Sequence, residues 1–438
     1  MILDLDKYAA ANGNKTKEEI LFSLRQDYMT ATRIASLATT ELTSSDPELL
    51  AYIDQELSYR FDDLGNCFYD CWMGIKNALM NGKRLATAPT SGDLRGVLLN
   101  MPAIVLGAGP GVTPRWGAIK ASRGKAVLFC CDVMLEPCLA HGIIPDYVCS
   151  IERVPASFEC MEGMDKTGIT VLVPPVMDSR VADDFGGRVI WCWRGCGLEI
   201  WLDHTVPRTD FGRSCGTQGV AAALIAGCNP VYLVGHDLCM DGDKTHCDDA
   251  QATTHGTAKN LDTDEFHRRI PAKSISGRDV NTIRLWGMFK NDIEFIAKTN
   301  FWSTVVNTGD GLPIDGTTHG ELPLTWGKTI SIPTITRAQP GQDPSELIAL
   351  MLADIPVLRA RYSEVMAMEK TDHTKLMLST MVNPRTAQAW TEIYASIYVP
   401  ALVRLYFDST QHLAMLKRVA KAILHTLDLI EDELERIR

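Results

Sequence analysis

The sequence of 438 residues lacks three features that mark large classes of protein. It has no run of about 18 apolar residues, so no membrane span is expected. Its start has no basic stretch followed by an apolar one, so we expect no signal peptide and a cytoplasmic protein. It has no excess of basic residues, because the net charge is −11, and a duplex nucleic acid is therefore not an expected partner.

Cysteine spacing does not indicate a metal site or a disulfide framework. The thirteen cysteines are odd in number and scattered, and the pairs Cys67/Cys71 and Cys192/Cys196 are each separated by three residues. A structural zinc site needs tighter pairs in a matched set with histidines. Without a secretory start, we interpret the cysteines as reduced, mostly buried thiols.

The sequence also lacks both complete phosphate-binding motifs. The stretch G-A-G-P-G at 107–111 follows an apolar run, but the next residue is valine rather than the third glycine of G-x-G-x-x-G, and no Gly-Lys-Ser/Thr follows. Glycines allow a tight turn and bring backbone N–H groups close to a ligand. We therefore predict a nucleotide phosphate site at Gly107, Gly109, Pro110 and Gly111. A tight strand-to-helix turn without a ligand is the alternative.

Hydrophobic periodicity divides the chain into three regions. Residues 16–82 have helical periods, and a linker rich in Thr, Ser, Pro and Gly follows at 87–93. Beyond it, short apolar runs such as Ala103–Leu106 and Val231–Gly235 alternate with turns and helical patterns, which predicts parallel strands buried on both faces. From residue 342 the pattern is again helical to the end.

These patterns predict an α/β fold. The core is a Rossmann-like, doubly wound, mostly parallel sheet, flanked by N- and C-terminal helical regions. The expected domains are an N-terminal helical region at 1–97, a nucleotide-donor-binding catalytic domain at 98–335 and a C-terminal helical region at 336–438. The long amphipathic helices at the C-terminal end are compatible with a homo-oligomer.

Polar residues follow the predicted strands, at the edge where ligands of open α/β sheets bind. Asp132 ends the second strand, where it either contacts a ribose or caps the next helix. Glu152 follows the third strand and has the chemistry to bind a hydroxyl or a metal ion. A further anion or polar-group site is predicted where a helix of small residues begins, at Ser214, Gly216, Thr217 and Gln218.

The segment 234–249 has a high density of chemically active side chains. It holds two histidines and five aspartates, among them Asp237 and His246. That density suits metal coordination or acid–base chemistry, although the twelve-residue calcium loop with its terminal Glu is absent. A solvated loop with Asp turns is the alternative.

In this order, the segments resemble one family, which comprises the motility accessory factor (Maf) flagellin glycosyltransferases and the archaeal 6-hydroxymethylpterin diphosphokinases. Its fold is similar to that of bacterial sialyltransferases that use CMP-sialic acid. The matching stretches are G-A-G-P-G at 107–111, C-D-V-M-L-E-P-C-L-A-H-G-I-I-P-D-Y-V-C-S-I-E at 131–152, G-T-Q-G-V-A-A-A-L-I-A-G-C-N-P-V-Y-L-V-G-H-D-L at 216–238 and D-G-D-K-T-H at 241–246. S-G-R-D-V-N-T at 276–282 and N-T-G-D-G-L-P-I-D-G-T at 307–317 are similar to the closing elements of the family.

The resemblance implies a nucleotide-type donor on the glycine turn. Asp132 would contact the nucleotide, Ser214 to Gln218 would hold its phosphate or sugar, and Asp237 and His246 would face the reaction centre. Three residues depart from the family pattern. Gly111 replaces the usual Ser, a Glu at position 152 replaces the more usual Asp, and a His at position 236 replaces the common Gln.

Three functions are compatible with these features. The first is a glycosyltransferase that moves a sugar from a nucleotide sugar to an acceptor hydroxyl, with His246 as base or acid, His255 as its competitor, and Asp237 orienting it or binding Mg²⁺. The second is a pyrophosphokinase that moves diphosphate from ATP to a pterin-like alcohol with the help of Mg²⁺. The third is a non-catalytic nucleotide-binding assembly protein. The acceptor could belong to a protein, a glycan or a small molecule.

Overall fold

The chain forms two compact units in the computed structural model. One unit is Met80–Pro344, and the other combines Met1–Leu79 with Ser345–Arg438. The structure describes residues 2–13, 41–53, 68–194, 206–254, 267–323, 325–341, 346–367 and 412–438, with a few single positions between these ranges. The domain boundaries at 97/98 and 335/336 stay predictions.

Eight parallel strands form the central sheet of the Met80–Pro344 unit. Val105 shows the pairing, because it lies opposite Phe129 on one side and Leu233 on the other. Numbered along the chain and given in sheet order, the strands are β12 (Thr318–His319), β11 (Val305–Asn307), β8 (Val231–Val234), β3 (Ala103–Leu106), β4 (Val127–Cys131), β5 (Tyr147–Cys149), β6 (Thr170–Val173) and β7 (Val189–Trp191). Strands β9 (Arg269–Lys273) and β10 (Asp279–Ile283) form a separate antiparallel pair.

The apolar runs of the sequence become the buried centre of this sheet. β3 and β4 are buried along their whole length, as expected for strands that have packing on both faces. Val105 and Phe129 lie in one continuous core with Leu172, Ala222 and Ile293. The apolar runs at 147–151 and 189–193 form strands only as far as Cys149 and Trp191.

Short helices connect the strands, and one of them packs unusually close to the sheet. They are α3 (Ser91–Leu94), α4 (Trp116–Ala121), α5 (Leu135–Ala140), α6 (Ala156–Glu159), α7 (Ser179–Asp184), α8 (Cys215–Ile225), α9 (Gln251–Thr254) and α10 (Arg284–Thr299). α8 packs on β3, β4, β5 and β8. A Cβ at Gly219 would lie 2.8 Å from Val105 Cγ1, so the glycine permits this close approach.

The order of the strands places a crevice between β3 and β8. The chain runs outward from β3 to β7 on one side, then returns to place β8, β11 and β12 on the other side. Such a reversal is the topological switch point at which open α/β sheets bind ligands, outside the carboxyl ends of the strands. The parallel sheet, its reversal and its flanking helices confirm the predicted fold class.

The second unit contains helices and one small strand pair. Its elements are β1 (Ile2–Asp4), α1 (Leu5–Asn12), β2 (Glu41–Thr43), α11 (Glu346–Ala367), α12 (His412–Ile437) and the first part of α2 (Phe68–Thr87). Asp4 caps α1 by accepting the N–H of Lys7 at 3.1 Å, and Gly13 ends it with a φ of 69°. The parallel pair β1–β2 was not expected in a helical region.

α11 and α12 pack against each other through apolar faces, as their helical periods predicted. Leu358, Tyr362, Ile423 and Leu427 are fully buried there. Helical predictions that fall on residues 25–40, 54–67, 368–384 and 394–411 lie outside the described residues. Within the described ranges, no helix is both long and apolar enough to cross a membrane.

Candidate functional site

The predicted glycine turn joins β3 to a short 3₁₀ helix, Pro110–Arg115, which continues into α4. The N–H groups of its three glycines already have partners within the protein. Gly107 N–H donates to Val234 O at 2.8 Å, Gly109 N–H to Gly235 O at 2.9 Å, and Gly111 N–H to Asp237 Oδ2 at 2.9 Å. The turn is therefore tied to the end of β8, across the switch point.

The side chain of Asp237 lies inside a ring of glycines. A Cβ at Gly111 would lie 2.6 Å from Asp237 Oδ1, and a Cβ at Gly309 would lie 2.7 Å from the same atom. Gly109 and Gly311 approach Asp237 equally closely, Gly109 at the carboxylate and Gly311 at the backbone. With Asp237 in this position, a serine at position 111 would overlap the carboxylate.

The ring buries Asp237 and changes its acidity. Burial raises the pKa of its carboxyl, while the N–H of Gly111 and the charge of Arg115 oppose that rise. Arg115 is fixed nearby, since its Nη1 donates to Gly111 O at 2.8 Å and its Nη2 to Thr308 O at 2.5 Å. The guanidinium thus joins the glycine turn to the loop after β11.

Asp237 opens onto a pocket of about 350 Å³. Its walls are the 3₁₀ helix from Pro110 to Arg115, the loop from Asp237 to Asp248, and the side chains of Arg278 and Asp310. Lys244 pairs with Asp248 at 2.7 Å, and Arg278 pairs with Asp310 at 2.9 Å. The pocket thus combines carboxylates, three cationic side chains and His246.

His246 lines the same pocket as Asp237, but the hydrogen bond of its ring is to another residue. Its Nδ1 lies 2.8 Å from the hydroxyl of Thr245. Burial lowers the pKa of His246 below its ordinary value of 6.5, so the ring is neutral at pH 7. A neutral imidazole is the form that accepts a proton, as a general base must. His255, the predicted competitor, lies outside the described residues.

A second group of predicted residues lies around Asp132, at the ends of β4 and β5. Asp132 Oδ2 accepts the hydroxyl of Ser150 at 2.5 Å and lies 3.5 Å from Cys215 Sγ. Burial raises the pKa of Asp132, and the hydrogen bonds from Ser150 and from Val133 N–H oppose this rise. Burial also raises the pKa of Cys215, which keeps its sulfur in the unreactive thiol form.

The remaining predicted donor residues have structural partners. Ser214 caps α8 by accepting the N–H of Thr217 at 3.1 Å. Gly216, Thr217 and Gln218 are buried, and Gln218 Nε2 donates to Leu172 O at 3.2 Å. Glu152 is exposed beyond the end of β5. The structure thus separates the predicted residues into an open pocket at Asp237 and a closed cluster at Asp132.

His236 lies between these two groups. A Cβ at Gly216 would lie 3.0 Å from its Nε2, and a Cβ at Gly107 would lie 3.4 Å from its Cε1. Burial lowers the pKa of His236 from 6.5 to about 4, and the backbone of Gly216 and Val234 partly offsets this effect. The imidazole is therefore a neutral packing element at the centre of the switch point.

We expect His236 to make the fold sensitive to mild acid. The unfolded chain takes up this proton near pH 6.5, whereas the folded chain does so near pH 4. Stability is therefore unaffected above about pH 6.5 and falls between pH 6.5 and 4, by up to about 3 kcal/mol. Urea unfolding in EDTA should show this fall for the wild type and a smaller one for His236→Gln. The same dependence of stability on pH in the wild type and in His236→Gln would refute this role of His236. His319→Gln, which changes an exposed histidine, is the control and should behave as the wild type.

Three features of the pocket were not predicted from the sequence. Arg115 is a lone cation in a 3₁₀ helix, and no motif marks it. Thr245 borders a predicted residue, but only the folded loop shows that its hydroxyl meets the imidazole. Gly309 and Gly311 lie in the N-T-G-D-G stretch, where repeated glycines beside polar residues could have indicated a second loop of the site.

A preformed metal site is not present in the described part of the chain. No three or more His, Cys, Asp or Glu side chains there are arranged to hold an ion. An Mg²⁺ that bridges phosphates needs only one or two protein carboxylates, because phosphates and water complete its shell. Asp237 fits that need, since Asp248 and Asp310 are engaged in ion pairs.

The fold and the pocket define a Rossmann-like α/β protein with a polar pocket at the switch point of its sheet. Residues 76–243 match the sequence model of the family described as 6-hydroxymethylpterin diphosphokinase MptE-like. This match confirms the resemblance found in the motifs.

Comparison of structures shows the same fold in a larger protein. The structure of the MAf glycosyltransferase from Magnetospirillum magneticum AMB-1 matches with a TM-score of 0.66 and 17% sequence identity. The match covers 97% of this chain and 70% of that chain. No curated protein sequence matches the chain.

Proposed function

We propose that this protein is a transferase that uses a nucleotide-type donor, and that it moves a sugar from a nucleotide sugar to an acceptor hydroxyl. The observation that carries the proposal is the Asp237 pocket, which combines a neutral His246, a buried carboxylate and three cations at the switch point. The match of residues 76–243 to the MptE-like family model and the fold shared with a glycosyltransferase support the same class.

The chemistry assigns one task to each part of the pocket. His246 takes the proton of the acceptor hydroxyl, since its lowered pKa keeps it neutral at pH 7. Negative charge develops on the departing phosphate, and cationic side chains close to it stabilise that charge. Arg115, Lys244 and Arg278 line the pocket and supply that charge.

The phosphate therefore meets side chains more than the glycine backbone. The N–H groups of Gly107, Gly109 and Gly111 already donate within the protein, so they are not free to form a cradle without rearrangement. We propose that these glycines, with Pro110, shape the pocket around Asp237.

A specific observation favours the second candidate, an ATP- and Mg²⁺-dependent diphosphokinase. The matched family is described by that activity, and the pocket is rich in carboxylates. A phosphate that approaches an ionised Asp237 is repelled unless a cation lies between them. Bound Mg²⁺ would supply that cation, and Asp237 is the residue that would hold it.

Thermal unfolding in the presence of nucleotides separates these functions. A ligand that binds only the folded state, at about 100 times its Kd, adds about 2.7 kcal/mol of stability. For a unit of this size that raises the midpoint by several degrees. We expect such a rise with a CMP- or UDP-sugar, and a smaller one in Arg115→Gln.

The outcomes are distinct for each candidate. A rise only with ATP and Mg²⁺ together would favour the diphosphokinase and reject the glycosyltransferase. No rise of the midpoint with CMP, UDP, GDP or ATP, with or without Mg²⁺, would reject both.

A substitution in the glycine turn is a poor probe of binding. The side chain of Gly109→Val would overlap both Asp237 and Gly235 and disturb the fold.

A further inference from the structure

The loop that carries His246, residues Asp241–Ala250, is hydrogen-bonded to the glycine turn and to the 3₁₀ helix that follows the turn. Directly after His246, the N–H of Cys247 donates to Ala108 O at 2.9 Å, and the N–H of Asp248 donates to Thr113 Oγ1 at 3.2 Å. Two consecutive residues of the loop are thus bonded to the glycine turn and to the 3₁₀ helix after it.

The next residue, Asp249, joins three elements of the fold. Its Oδ2 accepts the indole N–H of Trp116 at 2.9 Å and lies 3.1 Å from His141 Nε2. The rings of Trp116 and His141 stack, with their centroids 4.2 Å apart and an angle of 17° between their planes. Trp116 begins α4 and His141 follows α5, so one carboxylate joins the loop to both helices.

We propose that Asp249, held by Trp116 and His141, is a positioning residue for His246. The inference rests on the proposed function, in which His246 is the base. A general base works only within hydrogen-bond reach of the proton that it takes, and a surface loop is mobile unless contacts fix it. Asp249 lies three residues beyond His246 and provides such a contact.

The loop itself offers matched variants. Asp249→Ala removes the acceptor that Trp116 and His141 share, whereas Asp249→Asn keeps an oxygen acceptor in the same place. Asp243→Ala removes an aspartate from the same loop, but Asp243 is 88% exposed and pairs with Arg269 rather than with the segment after the glycine turn. Asp249 is 46% exposed, so its loss should leave the core intact.

Hydrogen exchange of the full chain measures the positioning directly. Loss of the shared acceptor should speed exchange at the Cys247 and Asp248 amides by about tenfold, a change that corresponds to about 1.4 kcal/mol. We expect this acceleration in Asp249→Ala, near wild-type exchange in Asp249→Asn and Asp243→Ala, and unchanged exchange in β3 and β4 throughout.

Hydrolysis of CMP- and UDP-sugars with water as acceptor supplies the second measurement. We expect Asp249→Ala to lower kcat by about tenfold with little change in KM, because it displaces the base without touching the donor. Asp249→Asn should restore most of the turnover. A rise in KM alone, with kcat unchanged, would contradict a positioning role.

The two proposals fail in different ways. Unchanged exchange at residues 247–248 in Asp249→Ala overturns the inference, whatever the activity. Faster exchange in a protein that hydrolyses no nucleotide sugar supports the positioning of the loop and overturns the proposed function alone.

Discussion

Replacing Gly111 with alanine is expected to lower the free energy of unfolding by about 2–3 kcal/mol, in the range typical of overpacking. The new Cβ would lie 2.6 Å from Asp237 Oδ1 and 3.1 Å from Oδ2, inside van der Waals contact with a carboxylate that the N–H of Gly111 holds in place. The same replacement in an Asp237→Ala background should cost less than about 1 kcal/mol, because the obstructing group is gone. Urea unfolding of the four proteins of this cycle measures the coupling.

Two other glycines serve as controls for this cycle. Gly311→Ala should be costly in both backgrounds, because its Cβ would overlap the backbone of Asp237 rather than the side chain. Gly117→Ala meets nothing within 4 Å and lies in helix α4, so it should stabilise the protein by about 0.5–1 kcal/mol. A Gly111→Ala cost that is equal in both backgrounds would show that the turn is not shaped around Asp237.

Replacing His246 with glutamine is expected to lower kcat by about 10²–10⁴-fold, the usual contribution of a general base. Glutamine keeps a polar side chain of similar length, so the midpoint rise with the nucleotide donor should remain. The base must be neutral, and burial lowers its pKa below 6.5, so wild-type turnover should hold down to about that pH and fall only in more acidic solution.

Steady-state turnover assays check this expectation. They use the nucleotide sugar that gives the largest rise in the midpoint of thermal unfolding. Exposed His319→Gln is the matched control and should keep wild-type turnover. Full turnover in His246→Gln would remove His246 from the mechanism and direct attention to His255.

The fold could be predicted from the sequence because its signals are local. Strands such as Ala103–Leu106 and Val127–Cys131 are buried on both faces, so their residues are almost all apolar and no alternation obscures them. Helix α8 was evident from its small residues, which its closeness to the sheet requires. The pair β1–β2 was missed because three-residue strands leave too few residues for a pattern.

The sequence indicated two of the residues that line the pocket, but not their contacts. Asp237 and His246 were identified from their density in one loop, and both line the pocket. The hydrogen bond of Asp237 could not be predicted, because its partner Gly111 lies 126 residues away in the chain. Arg115 was missed for the same reason, since only the fold brings it to Gly111 and Thr308.

The role of the glycine turn changes most between sequence and structure. A glycine-rich turn after the first strand of a sheet predicts backbone N–H groups that point at a phosphate. In the structure those N–H groups bond to the end of β8 and to Asp237. Glycine is required at positions 109 and 111 because the buried carboxylate of Asp237 leaves no space for a Cβ. A sequence motif does not show this requirement.

The position of a bound nucleotide is the most direct test of a donor site at Asp237. The measurement is a crystal structure of the protein grown with the nucleotide that gives the largest midpoint rise. We predict that its phosphate lies within hydrogen-bond distance of Arg115, in the pocket that Asp237 and His246 share. A nucleotide bound at Asp132 and Ser150 instead, with no contact to this pocket, would contradict the proposed site.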